Sequence, residues 1–362
     1  MSLPRPARLA LLWLALALLA TAPAAADAAP AGQAPRRFLP SPPKKMTLCG
    51  EPVPLNLPLV AEQFDREFTI HVHDQAQVVM WMKRAARYFP YIEKQLKAAG
   101  LPDDLKYLAV AESSLLRRIR SYAGAVGPWQ FVADTGRRYG LRRNRYFDDR
   151  FNLEKATLAA IAYLKDLHQK FGSWPLAMAA YNCGEKRLMR EIREQGVSDY
   201  YHLYLPLETM RYVYRILAVK AILSHPERYG YHLPPSRLYR PIRADRVVLT
   251  LKRPLHLRTL ARAARTTVRM LKELNPELRG YYLPRGRHRL KVPLGQAKGL
   301  LARLKRLKPV PPPRHQEWLV KPGDTLSFIA RQTGVKVRDI MRANHLRHSL
   351  LHPGQRLVIP SR

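Results

Sequence analysis

Acidic residues are scarce in this 362-residue chain, where 27 Asp and Glu face 63 Lys and Arg for a formal net charge of +36 with the histidines neutral. Such a balance implies an anionic working environment: nucleic acid, a membrane surface or a charged wall. The basic residues are spread over every segment rather than interleaved with aromatics on one module, and no nucleic-acid-binding motif is present, which argues against nucleic acid. Long hydrophobic runs are missing too. The longest, ALLWLALALLA near the start, is too short to span a bilayer. No cysteine follows it where a lipid anchor would need one. Cysteine is limited to Cys49 and Cys183, which either form one disulfide, Cys49–Cys183, or stay as two thiols. No cluster of His, Cys, Asp and Glu has metal-ligand spacing, so neither a metal nor another cofactor is expected.

What is present divides the chain. Residues 1–26 carry two arginines, the short apolar core and an Ala-Pro-Ala-Ala-Ala stretch before Asp27, the pattern of a secretory signal, and so predict export and a soluble mature protein. Residues 27–61 are rich in proline and alanine and read as an extended leader. From 62 to 235 apolar residues recur at intervals of three and four, closed by Gly or Pro, which predicts an all-helical domain. The remainder repeats at a constant offset of 69 residues. Leu257, Leu260, Ala261, Val268, Leu271 and Asn275 fall opposite Leu326, Ile329, Ala330, Val337, Ile340 and Asn344. Each copy opens and closes on a short strand, VVLTL to RLKVP and EWLVK to RLVIP, which predicts two small βααβ modules at 240–295 and 316–362. A basic, proline-containing linker at 296–315 joins them. The predicted fold class is thus mainly α.

The segment LPDDLKYLAVAESSLLRRIRSYAGAVGPWQF holds the chemistry. Pro102, Asp103 and Asp104 suit a helix start. Leu101, Leu105, Leu108, Glu112 and Leu115 then step by four, three, four and three, which puts the Glu112 carboxyl on the stripe of core leucines. A desolvated carboxyl keeps its proton at higher pH, as a general acid requires. The alternative is a salt bridge to Arg117, Arg118 or Arg120. The glycine-rich loop that follows ends at Trp129, either a flat face for a sugar or a core residue, and at Gln130, which can donate and accept at hydroxyls. Tyr181 and Asn182 close an apolar helical run before Gly184; a ligand would satisfy them, or Asn182 would cap the helix.

Together, LAVAESSL, GAVGPWQF, TGRRYGL, AYNCG and LPLETMRYV, in that order between Leu101 and Gly230, resemble the soluble lytic transglycosylase family, related in fold to goose-type lysozyme. Within it they are most similar to the branch of membrane-bound lytic transglycosylase D. The resemblance implies a lysozyme-like helical catalytic domain that cleaves peptidoglycan glycan strands, with Glu112 as the single acid and then base. It also implies sugar contacts from Ser113, Ser121, Trp129, Gln130, Tyr181 and Asn182. The repeated modules resemble LysM domains, which bind N-acetylglucosamine-containing glycans. The second copy has the VKPGDTL turn and thereby implies glycan contacts from Gly323, Asp324, Thr325 and Asn344. The first is degenerate, with Lys252-Arg253-Pro254-Leu255-His256 replacing that turn. A hydrolytic muramidase is the alternative enzyme and would need Asp134, Asp148 or Asp149 in the cleft; a non-catalytic wall scaffold is the alternative of another class. The implied location is periplasmic and wall-associated.

Overall fold

A computed structural model describes residues 39–308, 310 and 315–360; the predicted secretion signal lies outside them, as do residues 27–38 of the leader. The described part of the leader is more structured than its prolines suggest. Thr47–Leu48 (β1) and Glu51–Pro52 (β2) pair as a small hairpin, and helix α1 (Pro58–Val72) begins inside the segment assigned to the leader. Pro58 sits in the first turn, where its missing N–H would have no helical partner anyway. Leu48, Val53 and Val60 are buried in the domain core, so this stretch is part of the domain and not a tether.

Helices α2 (Gln75–Ala98), α3 (Lys106–Ser113), α4 (Ala133–Arg138), α5 (Leu153–Phe171), α6 (Trp174–Cys183), α7 (Glu185–Gln195) and α8 (Leu207–Ser224) follow. α8 is apolar around most of its circumference, with Tyr212, Val213, Ile216, Leu217, Ala218 and Val219 all buried, so it is stable only when surrounded. α1, α3 and α6 pack against it. The stripe of leucines before Glu112 forms as expected for Leu105 and Leu108, both wholly buried, but the helix is shorter than its pattern. A 3-10 turn occupies Asp103–Leu105, and Ser114 and Leu115 both take left-handed conformations, with φ of 52° and 59°. Leu115 is therefore buried from the following loop and not from the helix.

Ala244–Leu251 (β3), Leu255–His256 (β4), α9 (Leu257–Ala263), α10 (Val268–Leu274), Tyr282–Leu283 (β5) and Gly286–Pro293 (β6) form the first βααβ module, with β3 and β6 antiparallel along eight residue pairs. α11 (Leu300–Arg306), placed in the linker by its sequence, packs on this module and buries Leu300 in its core. His315–Leu319 (β7), α12 (Leu326–Thr333), α13 (Val337–Ala343) and Arg356–Pro360 (β8) form the second.

The repeated asparagine is the joint of each module. Asn275 donates through its amide nitrogen to Leu271 O and Lys291 O, both at 2.8 Å, and accepts from Lys291 N at 2.7 Å. Asn344 does the same with Ile340 O (2.7 Å), Val358 O (2.6 Å) and Val358 N (2.5 Å). One side chain thus ties the second helix to the closing strand. The other residues proposed for glycan contact in the second module also have structural duties. Gly323 takes φ of 83° in the turn, Asp324 accepts from Trp318 Nε1 (2.8 Å) and Lys321 N (3.0 Å), and Thr325 caps α12 by accepting from Phe328 N. In the first module His256, 69 residues before Thr325, replaces it as cap of α9 by accepting from Arg258 N at 2.9 Å. The degenerate turn therefore changes chemistry without losing the helix start.

This first module is fused to the helical domain. Phe147 inserts into its core, stacked on His288 with ring centroids 5.6 Å apart, and the chain around it exchanges backbone bonds with the module: Asp148 N to Glu277 O (2.8 Å) and Arg279 N to Tyr146 O (2.9 Å). Arg117, just past the Glu112 helix, donates to Glu273 O (2.6 Å) and to its carboxylate (3.0 Å). Losing the asparagine joint leaves several backbone groups without partners, at about 1–3 kcal/mol. Asn275→Ala is therefore expected to lower the unfolding midpoint of the helical domain together with its module, whereas Asn344→Ala is expected to melt the second module alone, as resolved by scanning calorimetry.

Candidate active site

Glu112 lies on the last turn of α3, on the wall of a groove of about 480 Å³ that α6, α8 and the 115–131 loop complete. Its carboxyl is part-exposed to the groove and otherwise enclosed by protein. Tyr212, on α8, donates its hydroxyl to Glu112 Oε1. Burial dominates the electrostatics and pushes the Glu112 carboxyl from 4.5 up to about 7; the Tyr212 bond and the Arg215 guanidinium pull the other way, and Glu208 adds to the rise. Burial, with the Glu112 charge next, holds the Tyr212 and Tyr181 phenols well above their ordinary value, so both stay protonated as donors.

The turn after Glu112 is tied down to α2. Ser114 Oγ accepts from Gln77 Nε2 (2.9 Å) and Trp81 Nε1 (3.0 Å), and Ser114 O accepts from Arg84 (3.1 Å). Two successive left-handed non-glycine residues cost of order 1–3 kcal/mol each, and these bonds hold them in place. The loop itself is clamped from beneath. Ser113 Oγ donates to Pro128 O (2.7 Å), Trp129 Nε1 to Thr157 Oγ1 (2.9 Å), Tyr181 OH to Trp129 O (2.7 Å), and Arg150 Nη1 to Phe131 O (2.9 Å). Arg150 is buried and grips Asp148 through two bonds of 2.8 Å. At Gly127, φ is 82°, and a Cβ would stand 2.0 Å from Arg150 O, so only glycine passes there.

Of the residues expected at the sugar, Glu112, Ser121, Gln130, Tyr181 and Asn182 line the groove. Gln130 is held at φ of 45° with Nε2 donating to Gly127 O (2.7 Å), and Asn182 Oδ1 accepts from Thr209 (2.8 Å) instead of capping its helix. Ser113 and Trp129 do not line it. Both are buried and spend their polar atoms on the loop and α5, so they shape the wall without presenting a face to ligand. Cys49 and Cys183 are both free, which corrects the disulfide reading. Cys49 N donates to Asp104, which also receives Lys220 near the end of α8, while Cys183 lies by Thr209 at its start, eleven residues and about 16 Å of helix away.

Asp148 and Asp149 are buried in ion pairs, with Arg150 and with Lys155 and Arg142, and Asp134 is exposed against Arg137; none of the three lines the groove. The second carboxylate there is Glu208, which sequence reading missed along with its α8 neighbours Tyr212 and Arg215. Tyr163 is another omission; it joins Tyr139 and Tyr181 in an aromatic wall with centroids 4.9 and 5.1 Å apart. The spacing of Glu208, Tyr212 and Arg215 by four and three on an apolar helix was the available signal. Among the described residues no group of His, Cys, Asp and Glu could hold a metal ion, and no helix is long and apolar enough to cross a membrane.

Residues 89–204 match the family model of the transglycosylase SLT domain, and residues 319–360 that of the LysM domain. Membrane-bound lytic murein transglycosylase D of Escherichia coli (strain K12) is 33% identical over 292 residues, 76% of this chain and 64% of that protein. A putative tributyltin chloride resistance protein of Alteromonas sp. (strain M-1) is 32% identical over 117 residues, 32% of this chain and 56% of its own length. The chain spans less than two thirds of the length of either relative. The solved 70 kDa soluble lytic transglycosylase of Escherichia coli is 20% identical with a TM-score of 0.33, over 43% of this chain and 27% of that one, too slight a likeness to carry an argument.

The raised Glu112 carboxyl fixes two pH dependences. Its folded value of about 7 stands above the ordinary 4.5, so its contribution to stability is complete below pH 4.5 and is lost as pH rises through 7. Glu112→Gln removes that loss and is expected to be more stable than the parent at pH 8, by up to about 3 kcal/mol, with little difference at pH 4, in urea titrations. Tyr212→Phe withdraws a bond that favours the carboxylate, so the alkaline limb of any Glu112-dependent activity is expected to move up by about one pH unit.

Proposed function

We propose, for a chain that carries a transglycosylase SLT domain followed by a LysM domain, that it is a peptidoglycan lytic transglycosylase acting on the bond between N-acetylmuramic acid and N-acetylglucosamine. The observation that carries this reading is Glu112: a groove-lining carboxyl kept protonated to about pH 7 by burial, whose hydrogen-bond donor is a neutral phenol and not a cation. Protonated Glu112 donates to the glycosidic oxygen, the bond from that oxygen to the muramoyl anomeric carbon breaks, and the substrate's acetamido oxygen stabilises the positive charge. The Glu112 carboxylate then takes the proton of the muramoyl 6-hydroxyl as that oxygen bonds to the anomeric carbon. The products are a 1,6-anhydromuramoyl end and a free N-acetylglucosamine end, with Glu112 returned to its acid form. Tyr212 holds the carboxyl in place through both steps. Gln130 and Asn182 have amide groups along the groove for sugar hydroxyls or acetamido groups.

Glu208 supports a second reading. Hydrolysis by two carboxylates would use it to activate water, and its place on the groove wall makes that the alternative to test. We further propose secretion to the periplasm, directed by residues 1–26, and wall association through the second module, which raises local concentration on the polymer. The first module, built into the helical domain, acts as a brace and not as a tethered binder.

Mass spectrometry of the products from purified sacculi distinguishes the two chemistries. Anhydro ends, lighter by one water than reducing ends, are expected from the parent and from Glu208→Gln, and Glu112→Gln is expected to lose turnover by about a thousandfold or more. Reducing ends that disappear in Glu208→Gln would establish hydrolysis instead. Truncation after residue 308 is expected to weaken sedimentation with insoluble wall while changing turnover on short soluble glycans less than about twofold.

A further inference from the structure

Where the 115–131 loop meets the first module, the surface forms a recess of about 360 Å³ with Arg118, Arg120 and Arg279 at its rim and Phe151, Pro276 and Leu278 beneath. Arg279 also lines a neighbouring recess of about 480 Å³, shared with Arg143 and with Trp318 and Phe328 of the second module. The two recesses run from the catalytic loop to the second module. Arg120 immediately precedes Ser121, which lines the Glu112 groove, so the basic track starts at the groove wall.

Many arginines of this chain are engaged in ion pairs, but among the described residues Arg118, Arg120 and Arg279 of the first recess are not, whereas the second recess also carries the carboxylates of Glu317 and Asp324. Among the described residues the guanidinium groups of Arg118 and Arg120 have neither an ion pair nor a hydrogen bond, and no Asp or Glu lines the first recess. Arg279 donates only to the backbone, at Asn144 O (2.7 Å). Arg143 reaches Asp148 only at 3.9 Å, and that carboxylate is already held by both arms of Arg150. Burial first, and then the charge of Arg150, depress the Arg143 guanidinium; Asp148 opposes them, and Arg279 and Arg120 add smaller depressions, while Lys272 is depressed by burial and by Arg118. Like charges gathered without counter-ions weaken the fold unless an anion joins them.

We propose that this track binds the carboxylate-bearing peptide stems of the glycan being cut, so that strands with stems are held across the groove more tightly than bare strands. The proposal rests on the peptidoglycan reading above. The ligand chemistry follows from the walls: guanidinium groups for carboxylates and a shallow apolar floor for aliphatic side chains. Its place beside the groove suits a substituent carried by the same sugar polymer.

The test uses the full chain carrying Glu112→Gln, so that strands are bound and not consumed. Binding is measured to soluble glycan strands with tetrapeptide stems, to the same strands stripped of stems, and to vesicles of anionic lipid. Adding Arg118→Gln, Arg120→Gln and Arg279→Gln is expected to weaken stem-bearing strands by about tenfold and leave stripped strands within about twofold. The corresponding three Arg→Lys changes are expected to keep most of the affinity, and the Arg118→Gln, Arg120→Gln pair guards against any loss of folding through Arg279. Equal loss on both kinds of strand, no loss on either, or loss confined to vesicles overturns the proposal. Failure of the enzymatic reading is seen separately, as the absence of glycan cleavage by the protein with Glu112 intact.

Discussion

A carboxyl group at the end of a short helix has given up most of its water and, among the described residues, receives one hydrogen bond in return, from a buried phenol. That imbalance between desolvation and compensation lifts Glu112 to about pH 7, and the surrounding architecture keeps it in force. A nearer cation would cancel it. Arg215 lines the groove and lowers the Glu112 value, but its guanidinium is drawn toward Glu67, as is that of Arg211, which donates to Glu67 Oε1 at 2.6 Å. Glu67 is itself buried, so the cationic side of α8 is anchored toward α1 and not toward the acid.

The fold supplies rigidity where this imbalance would otherwise relax. α8 is surrounded on most sides and delivers Tyr212; the paired left-handed residues at 114 and 115 end α3 just beyond the acid and are secured by side chains of α2. The following loop is fastened by Ser113, Trp129, Tyr181 and Arg150, and the first βααβ module grips it from outside through Arg117. The first module thus contributes stiffness, and the chain reaches into its core with Phe147.

Periodicity made the helical domain and both modules legible, because burial in helices and strands imposes fixed repeats. The position of Glu112 on the leucine stripe was readable for the same reason, and its burial follows from it. The early end of α3 was not, since Ser-Leu carries no preference for left-handed backbone and the ties that impose it come from residues more than thirty positions away. Tyr212 and Glu208 escaped because their meeting with Glu112 is a matter of packing across about a hundred residues. Asn344 is the converse case. Its repetition was plain, and a position common to both modules marks the joint that both must build, tying the second helix to the closing strand. Trp129 was ambiguous in sequence and resolves to the core through its bond to Thr157.

The proton on Glu112 can be titrated on its own. Difference infrared spectroscopy of the parent against Glu112→Gln isolates the carboxyl band of this residue from all others as pH is varied. A midpoint close to 7 is the result expected from burial with a neutral donor. A midpoint at or below the ordinary 4.5 would mean that the groove solvates or pairs the carboxylate, and the acid role assigned to Glu112 would fail with it.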